Sequence, residues 1–179
     1  NIEIIAKSHN YLRKRIQYIV IGNKKELKHY LNKIKLNINV NEIIDPINFK
    51  NYKINCINIF NIENVHKEKY RNLLNQINFS NELSSNTKFD LITMPINKSI
   101  FKKKIKFIGM TEYLGKINKC ETMMLMYGEM FSIIPLTTHI NLKKVHRDLN
   151  KINLKKKLEI MMSLLKSKKY KLNFSIFKF

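Results

Sequence analysis

The chain has 179 residues, enough for one ordinary domain with its own core, and 44% of them are hydrophobic, which excludes compositional disorder. Its formal net charge is +21, from 34 Lys and Arg against 13 Asp and Glu, a balance that attracts nucleic acid or small anions. Arginine occurs only at Arg13, Arg15, Arg71 and Arg147, so the forked donors that read base edges are scarce, and the lysines spread along a chain equally rich in Asn and Ile as a compositional drift would spread them.

Residues 2–10 place Ile2, Ile4, Ile5 and Ala6 in a short helix-like pattern. Tyr18-Ile19-Val20-Ile21-Gly22 is β-branched and ends in glycine, which predicts a buried strand. Over residues 24–35, Leu27, Tyr30, Leu31 and Ile34 follow the i, i+3, i+4, i+7 spacing of an amphipathic helix, with Asn23 as its N-cap. Strand, turn and helix open an α/β alternation. Residues 37–53 are Asn-rich and irregular, with Asp45-Pro46 as a turn signal. Residues 54–60 alternate like a strand, residues 64–79 are helix-like through Val65, Tyr70, Leu73, Leu74 and Ile77, and the Ser/Asn stretch 78–88 reads as a loop.

Residues 90–95 form a further strand-then-breaker unit, and the lysine run 101–107 reads as a solvated loop or helix end. Thr111 can cap a helix starting at Glu112. The methionine-rich stretch 122–127 reads as strand core, residues 130–136 as the next strand, and Gly128 between them suggests a hairpin, so part of the sheet is expected to be antiparallel. Residues 142–149 and 154–165 are amphipathic helix patterns, and 174–179 alternate like a last strand. No internal repeat or linker divides the chain, so residues 1–179 read as a single α/β region.

Cys56 and Cys120 form no C-x-x-C pair or disulfide framework, which fits a reducing compartment. No apolar run approaches the roughly 20 residues that cross a bilayer, and no signal peptide is visible. A chain that starts at Asn1 in helix-like sequence is expected to be processed or truncated. No dinucleotide fingerprint, P-loop, G-x-S-x-G or H-E-x-x-H is present, and His9, His29, His66, His139 and His146 show no metal spacing among themselves. The candidate site is the stretch from Pro135 to Val145, where an apolar strand ends in Thr137-Thr138-His139 and turns into a helix. Ligands gather outside the carboxyl ends of strands in α/β sheets, and a histidine there can bind a metal or handle a proton. Taken alone, a histidine in this position is more often a turn residue with a satisfied ring than a ligand.

Three ordered segments carry more: Asp90-Leu-Ile-Thr-Met-Pro-Ile-Asn-Lys98, then Gly109-Met-Thr-Glu-Tyr-Leu114, then Met123-Met-Leu125 with Leu136-Thr-Thr-His-Ile-Asn-Leu142. Together they resemble the 4-hydroxythreonine-4-phosphate dehydrogenase family of vitamin B6 biosynthesis, which shows a strand ending T-(G/A)-P-x-x-K, then G-H-T-E, then a strand ending T-T-H-x-P-L. Ile2-Glu3-Ile4-Ile5 is similar to that family's first helix. The resemblance covers most of this chain and the first half of the family's usual length. It implies an isopropylmalate-dehydrogenase-like three-layer α/β/α sandwich with a mixed sheet, here incomplete.

The resemblance also implies an NAD- or NADP-dependent cytoplasmic enzyme that uses a divalent metal (Zn, Mg or Co) and works as a homodimer with its site between subunits. Its substrate would be a phosphorylated amino acid, 4-phosphooxy-L-threonine, oxidised and decarboxylated to 3-amino-2-oxopropyl phosphate on the route to pyridoxal phosphate. By the same resemblance His139 matches the family's first metal-binding histidine, Thr111 matches a substrate-binding threonine, and Met110 stands where the family has a substrate-contacting histidine. Met110 can neither carry charge nor donate a hydrogen bond. Asn141 replaces the usual proline, and the family's further metal histidines and nucleotide site would lie beyond Phe179. The chain is therefore expected to be an oxidoreductase of this family or a truncated, inactive remnant of one. A basic nucleic-acid-binding protein is the alternative that charge alone suggests.

Overall fold

The computed structural model describes residues 2–101, 105, 107–138, 140–149 and 151–167. They form two compact units, Asn1–Phe107 and Ile108–Phe179. The first holds helix α1 (Ile2–Leu12), strand β1 (Val20–Gly22), helix α2 (Lys24–Lys33), strands β2 (Val40–Glu42) and β3 (Ile57–Asn61), and helix α3 (Lys69–Asn86). The second holds α4 (Met110–Ile117), a 3₁₀ turn at Leu142–Lys144, α5 (Val145–Asp148) and α6 (Lys151–Ser167).

The three strands of the first unit form one parallel sheet in the order β1-β3-β2, with Val20 opposite Ile59 and Val40 opposite Ile57. Side chains alternate across a strand, so Ile57 and Ile59 share one face and Asn58 and Phe60 the other. Onto the first face pack Ala6 of α1 and Leu27 and Leu31 of α2, all buried, with Ile2, Ile5, Val20, Ile34 and Val40 around them. Each fully buried Leu or Ile contributes about 1.5–3 kcal/mol of transfer free energy. On the second face Phe60 stacks on Phe79 of α3, with ring centroids 4.8 Å apart and planes 3° from parallel.

Helix α2 starts where the sequence places it, because the Asn23 side chain accepts from the Glu26 amide at 3.0 Å and satisfies an otherwise orphaned donor. It ends at a left-handed Lys35 (φ 55°). Near α1, His9 is buried and its Nδ1 shares a 2.7 Å hydrogen bond with the Tyr18 hydroxyl. Burial, helped by the Arg13 charge, holds the imidazole below its ordinary pKa. Burial also pushes the Tyr18 phenol up to about 12.

Asn58, only 1% exposed, is saturated. Its carbonyl oxygen accepts from Asn41 Nδ2 (2.9 Å) and from the Lys53 amide (3.0 Å). Its amide donates to the carbonyls of Lys53 (2.8 Å) and Cys56 (3.2 Å). Asn41 stands opposite on β2 and also donates to the Asn51 carbonyl, so the pair ties the 50–56 loop to the sheet.

Several expectations change here. The sheet was expected to be mixed, yet the paired strands β1, β3 and β2 run parallel, and the antiparallel hairpin of the second unit appears as a single bridge, Met126 with Ile133. Strand β2 lies inside the stretch read as irregular, held by the buried Asn41 rather than by an apolar pattern. Residues 78–88 are not a loop: α3 continues to Asn86, its Ser80 hydroxyl donating to the Gln76 carbonyl and Thr87 closing the end by donating to Leu83, each at 2.7 Å. Residues 90–95 form no strand, and Ile92 there is 77% exposed. The last strand expected at 174–179 lies outside the described residues.

Candidate functional site

The second unit builds its cleft around α4. Gly109 is the N-cap, so the helix begins at Met110, and Thr111 sits in its first turn rather than capping it. Glu112 in that turn suits the positive end of the helix dipole. After Ile117 the chain reverses through a left-handed Lys119 (φ 51°), and the Cys120 amide donates to the Gly115 carbonyl at 3.0 Å. The returning segment lies so close that a Cβ on Gly115 would stand 2.9 Å from Thr122 Cγ2 and 3.0 Å from the Cys120 carbonyl oxygen. Glycine is what lets helix and return segment touch.

That contact forms one wall of a cleft of about 450 Å³, a size that suits a small metabolite. Thr111, Glu112, Gly115 and Lys116 line it from α4, and Lys119 from the turn that follows the helix. The return segment adds Cys120, Glu121, Thr122, Met123 and Met124. Pro135 and Thr138 come from the strand-end stretch, and Lys157 from α6. Helix α6 fixes this rim: Lys157 Nζ donates to the Leu136 carbonyl, and Lys156 Nζ meets Glu121 Oε2 at 2.9 Å. The lining thus offers the hydroxyls of Thr111 and Thr138 beside Lys116, Lys119 and Lys157, a combination that favours an anionic, hydroxyl-bearing guest.

Thr111, singled out from the sequence, lines the cleft beside Thr138, so the second and third family-like segments meet there. Met110 is the half-buried first residue of α4 and is not among the lining residues. His139 lies outside the described residues. Lys98 sits in a 3₁₀ turn of the first unit, Lys98–Ile100, capped by Asn97. Sequence reasoning missed Lys116, Lys119 and Lys157. The four-residue spacing of Glu112 and Lys116 was the available signal within α4, whereas Lys119 lies in the turn past the helix end and Lys157 is brought in by tertiary packing. Among the described residues no three His, Cys, Asp or Glu side chains converge as metal ligands, so these residues do not fit a metal ion by themselves. No described helix is long and apolar enough to cross a membrane.

Residues 14–174 match the model of the family described as "Pyridoxal phosphate biosynthetic protein PdxA". The chain belongs to the PdxA family. The PdxA relatives named 4-hydroxythreonine-4-phosphate dehydrogenase include one from Wigglesworthia glossinidia brevipalpis, 34% identical over 137 residues, which covers 75% of this chain and 35% of that protein. Another, from Sulfurihydrogenibium sp. (strain YO3AOP1), is 28% identical over 177 residues, covering 94% of this chain and 55% of that one. The crystal structure of a 4-hydroxythreonine-4-phosphate dehydrogenase from Burkholderia phymatum shares the fold, with a TM-score of 0.77 at 20% identity over 92% of this chain and 54% of that one. This PdxA-family chain therefore spans from about a third to about half the length of the relatives it matches. Those relatives are named as dehydrogenases, so the kinship is to oxidoreductases, and it does not favour the nucleic-acid alternative.

Proposed function

We propose that this chain provides the substrate side of a 4-hydroxythreonine-4-phosphate dehydrogenase: NAD(P)-dependent oxidation of 4-phosphooxy-L-threonine, followed by decarboxylation to 3-amino-2-oxopropyl phosphate, in pyridoxal phosphate biosynthesis in the cytoplasm. The observation that carries this reading is the cleft that brings Thr111 and Thr138 together under Lys116, Lys119 and Lys157. The threonine hydroxyls would orient the substrate's own polar groups, and the lysines would offset the phosphate charge. Met110, where the family has a substrate-contacting histidine, cannot supply a hydrogen bond to the substrate. His139, following Thr138, is proposed as a metal ligand of the family type. The described residues do not complete a metal donor set, so no step is assigned to a metal. The nicotinamide, when bound, accepts the hydride. The two units are proposed to form one α/β region of the isopropylmalate-dehydrogenase-like sandwich, acting in a homodimer; the family match across residues 14–174 supports this.

The test is calorimetric binding of 4-phosphooxy-L-threonine to the full chain, alongside NAD(P)H formation with and without added Zn²⁺, Mg²⁺ or Co²⁺. Saturable binding that weakens about tenfold in Thr111→Val, a change that keeps the shape and removes the hydroxyl, is the expected result. No binding at millimolar substrate, or binding indifferent to Thr111, overturns the reading.

A further inference from the structure

Helix α6 reaches two segments of the cleft lining with consecutive residues. Lys156 Nζ pairs with Glu121 of the return segment at 2.9 Å, and Lys157 Nζ donates to the Leu136 carbonyl in the strand-end stretch. The two contacts differ in strength. The side chains of Lys156 and Glu121 are 65% and 34% exposed, so water and salt screen that pair. The Lys157 bond is part-buried, and an ionised donor makes a stronger hydrogen bond than a neutral one.

The stretch that Lys157 meets has little else to hold it. The antiparallel bridge ends at Ile133, and the chain bends at Leu136 and Thr137 before Thr138 reaches the cleft. Among the described residues, positions 134–138 make no backbone–backbone hydrogen bond. The bond from Lys157 is therefore what fixes the bend. Peptide units are planar, so few soft dihedrals separate the Leu136 carbonyl from the Thr138 side chain. Holding that carbonyl sets where the Thr138 hydroxyl stands. An ammonium has three donors, so Lys157 can hold Leu136 and still leave its charge in the cleft with Lys116 and Lys119.

We infer that Lys157 is a positioning residue for the phosphorylated substrate: by holding the Leu136 carbonyl it places the Thr138 hydroxyl in the cleft beside Thr111. The inference rests on the dehydrogenase reading above and adds to it a residue that acts through another. The experiment is calorimetric binding of 4-phosphooxy-L-threonine to the full chain, read as a double-mutant cycle. Lys157→Met is expected to weaken binding about tenfold in the wild-type background and about tenfold in Thr111→Val, because Thr111 is held by α4. In Thr138→Val, where no hydroxyl is left to place, the same change should cost only about threefold, the share due to the lost charge. Lys157→Gln, polar but shorter by an atom, is the second variant and should repeat the pattern. Lys155→Met, which removes an exposed charge of α6 paired with Glu159, is the control and should bind within about twofold of the wild type. Equal losses for Lys157→Met in the wild-type and Thr138→Val backgrounds overturn the inference, because Lys157 then acts on the guest directly. So does wild-type binding by Lys157→Met or Lys157→Gln, or an equal loss in Lys155→Met. In each of these cases a tenfold loss in Thr111→Val leaves the dehydrogenase reading standing. A wild type that does not bind overturns both.

Discussion

Replacing Asn58 with alanine tests whether a saturated polar group, rather than apolar packing, holds the 50–56 loop to the sheet. The substitution deletes four hydrogen bonds, two accepted by Oδ1 and two donated by Nδ2. Each contributes about 0.5–1.5 kcal/mol net, with a further penalty for any partner left dry. Asn41 Nδ2 keeps its bond to the Asn51 carbonyl, and Lys53 is exposed, so part of the loss is made good by water. The net cost should be about 3 kcal/mol, a large share of the roughly 5–15 kcal/mol that stabilises a domain. With a urea dependence near 2 kcal/mol/M, the midpoint should fall by about 1.5 M. Asn58→Asp is the companion: it keeps the acceptor and turns a carboxylate oxygen against the Lys53 and Cys56 carbonyls. A buried carboxyl has its folded pKa raised, so this variant's deficit should be largest at neutral pH and shrink as falling pH protonates it. A double-mutant cycle with Asn41→Ala should show coupling, because the two share a bond. A loss below about 1 kcal/mol for Asn58→Ala would refute the argument and show that water satisfies the loop.

Gly115→Ala should destabilise by about 1 kcal/mol, overpacking against Thr122 and Cys120 outweighing the gain in helix propensity. A thermal melt should show a drop of about 2–4 °C, partly recovered by adding Thr122→Ala, and a stabilised variant would contradict the close contact. For His9 the folded pKa lies below the unfolded value, so the unfolded chain binds the proton more readily. Stability should be at its plateau above about pH 6.5 and decline as pH falls from there through the folded pKa, and urea titrations of His9→Phe should lose that part of the slope. The Thr111→Val binding loss completes the set.

Local chemistry made the first βα unit legible: a β-branched run, an asparagine cap and a strict helical spacing all agree over residues 18–34. Strand β2 was hidden because Asn41 is buried by its partner Asn58, seventeen positions away, and no local pattern reports a polar pair. The end of α3 was hidden because Ser, Asn and Thr usually favour loops, whereas here Ser80 and Thr87 bond back to the helix and Phe79 stacks on the sheet. The reverse error occurred at residues 90–95, where an apolar run suggested a strand that pairs with nothing among the described residues. At the cleft, Thr111 was legible through a motif, while Lys157 arrives from a distant helix that only the fold brings near.

The strand order has a consequence for how the chain comes to be folded. The central strand β3 is the last of the three in sequence, and β1 and β2 each pair with it. During synthesis, α1, β1, α2 and β2 can be made and still have no sheet to join. The first rung waits for Ile57, and the ladder is complete only when Asn61 has emerged. Until then Val20, Ile21 and Val40 are unpaired strand edge, the state in which nascent chains misassociate.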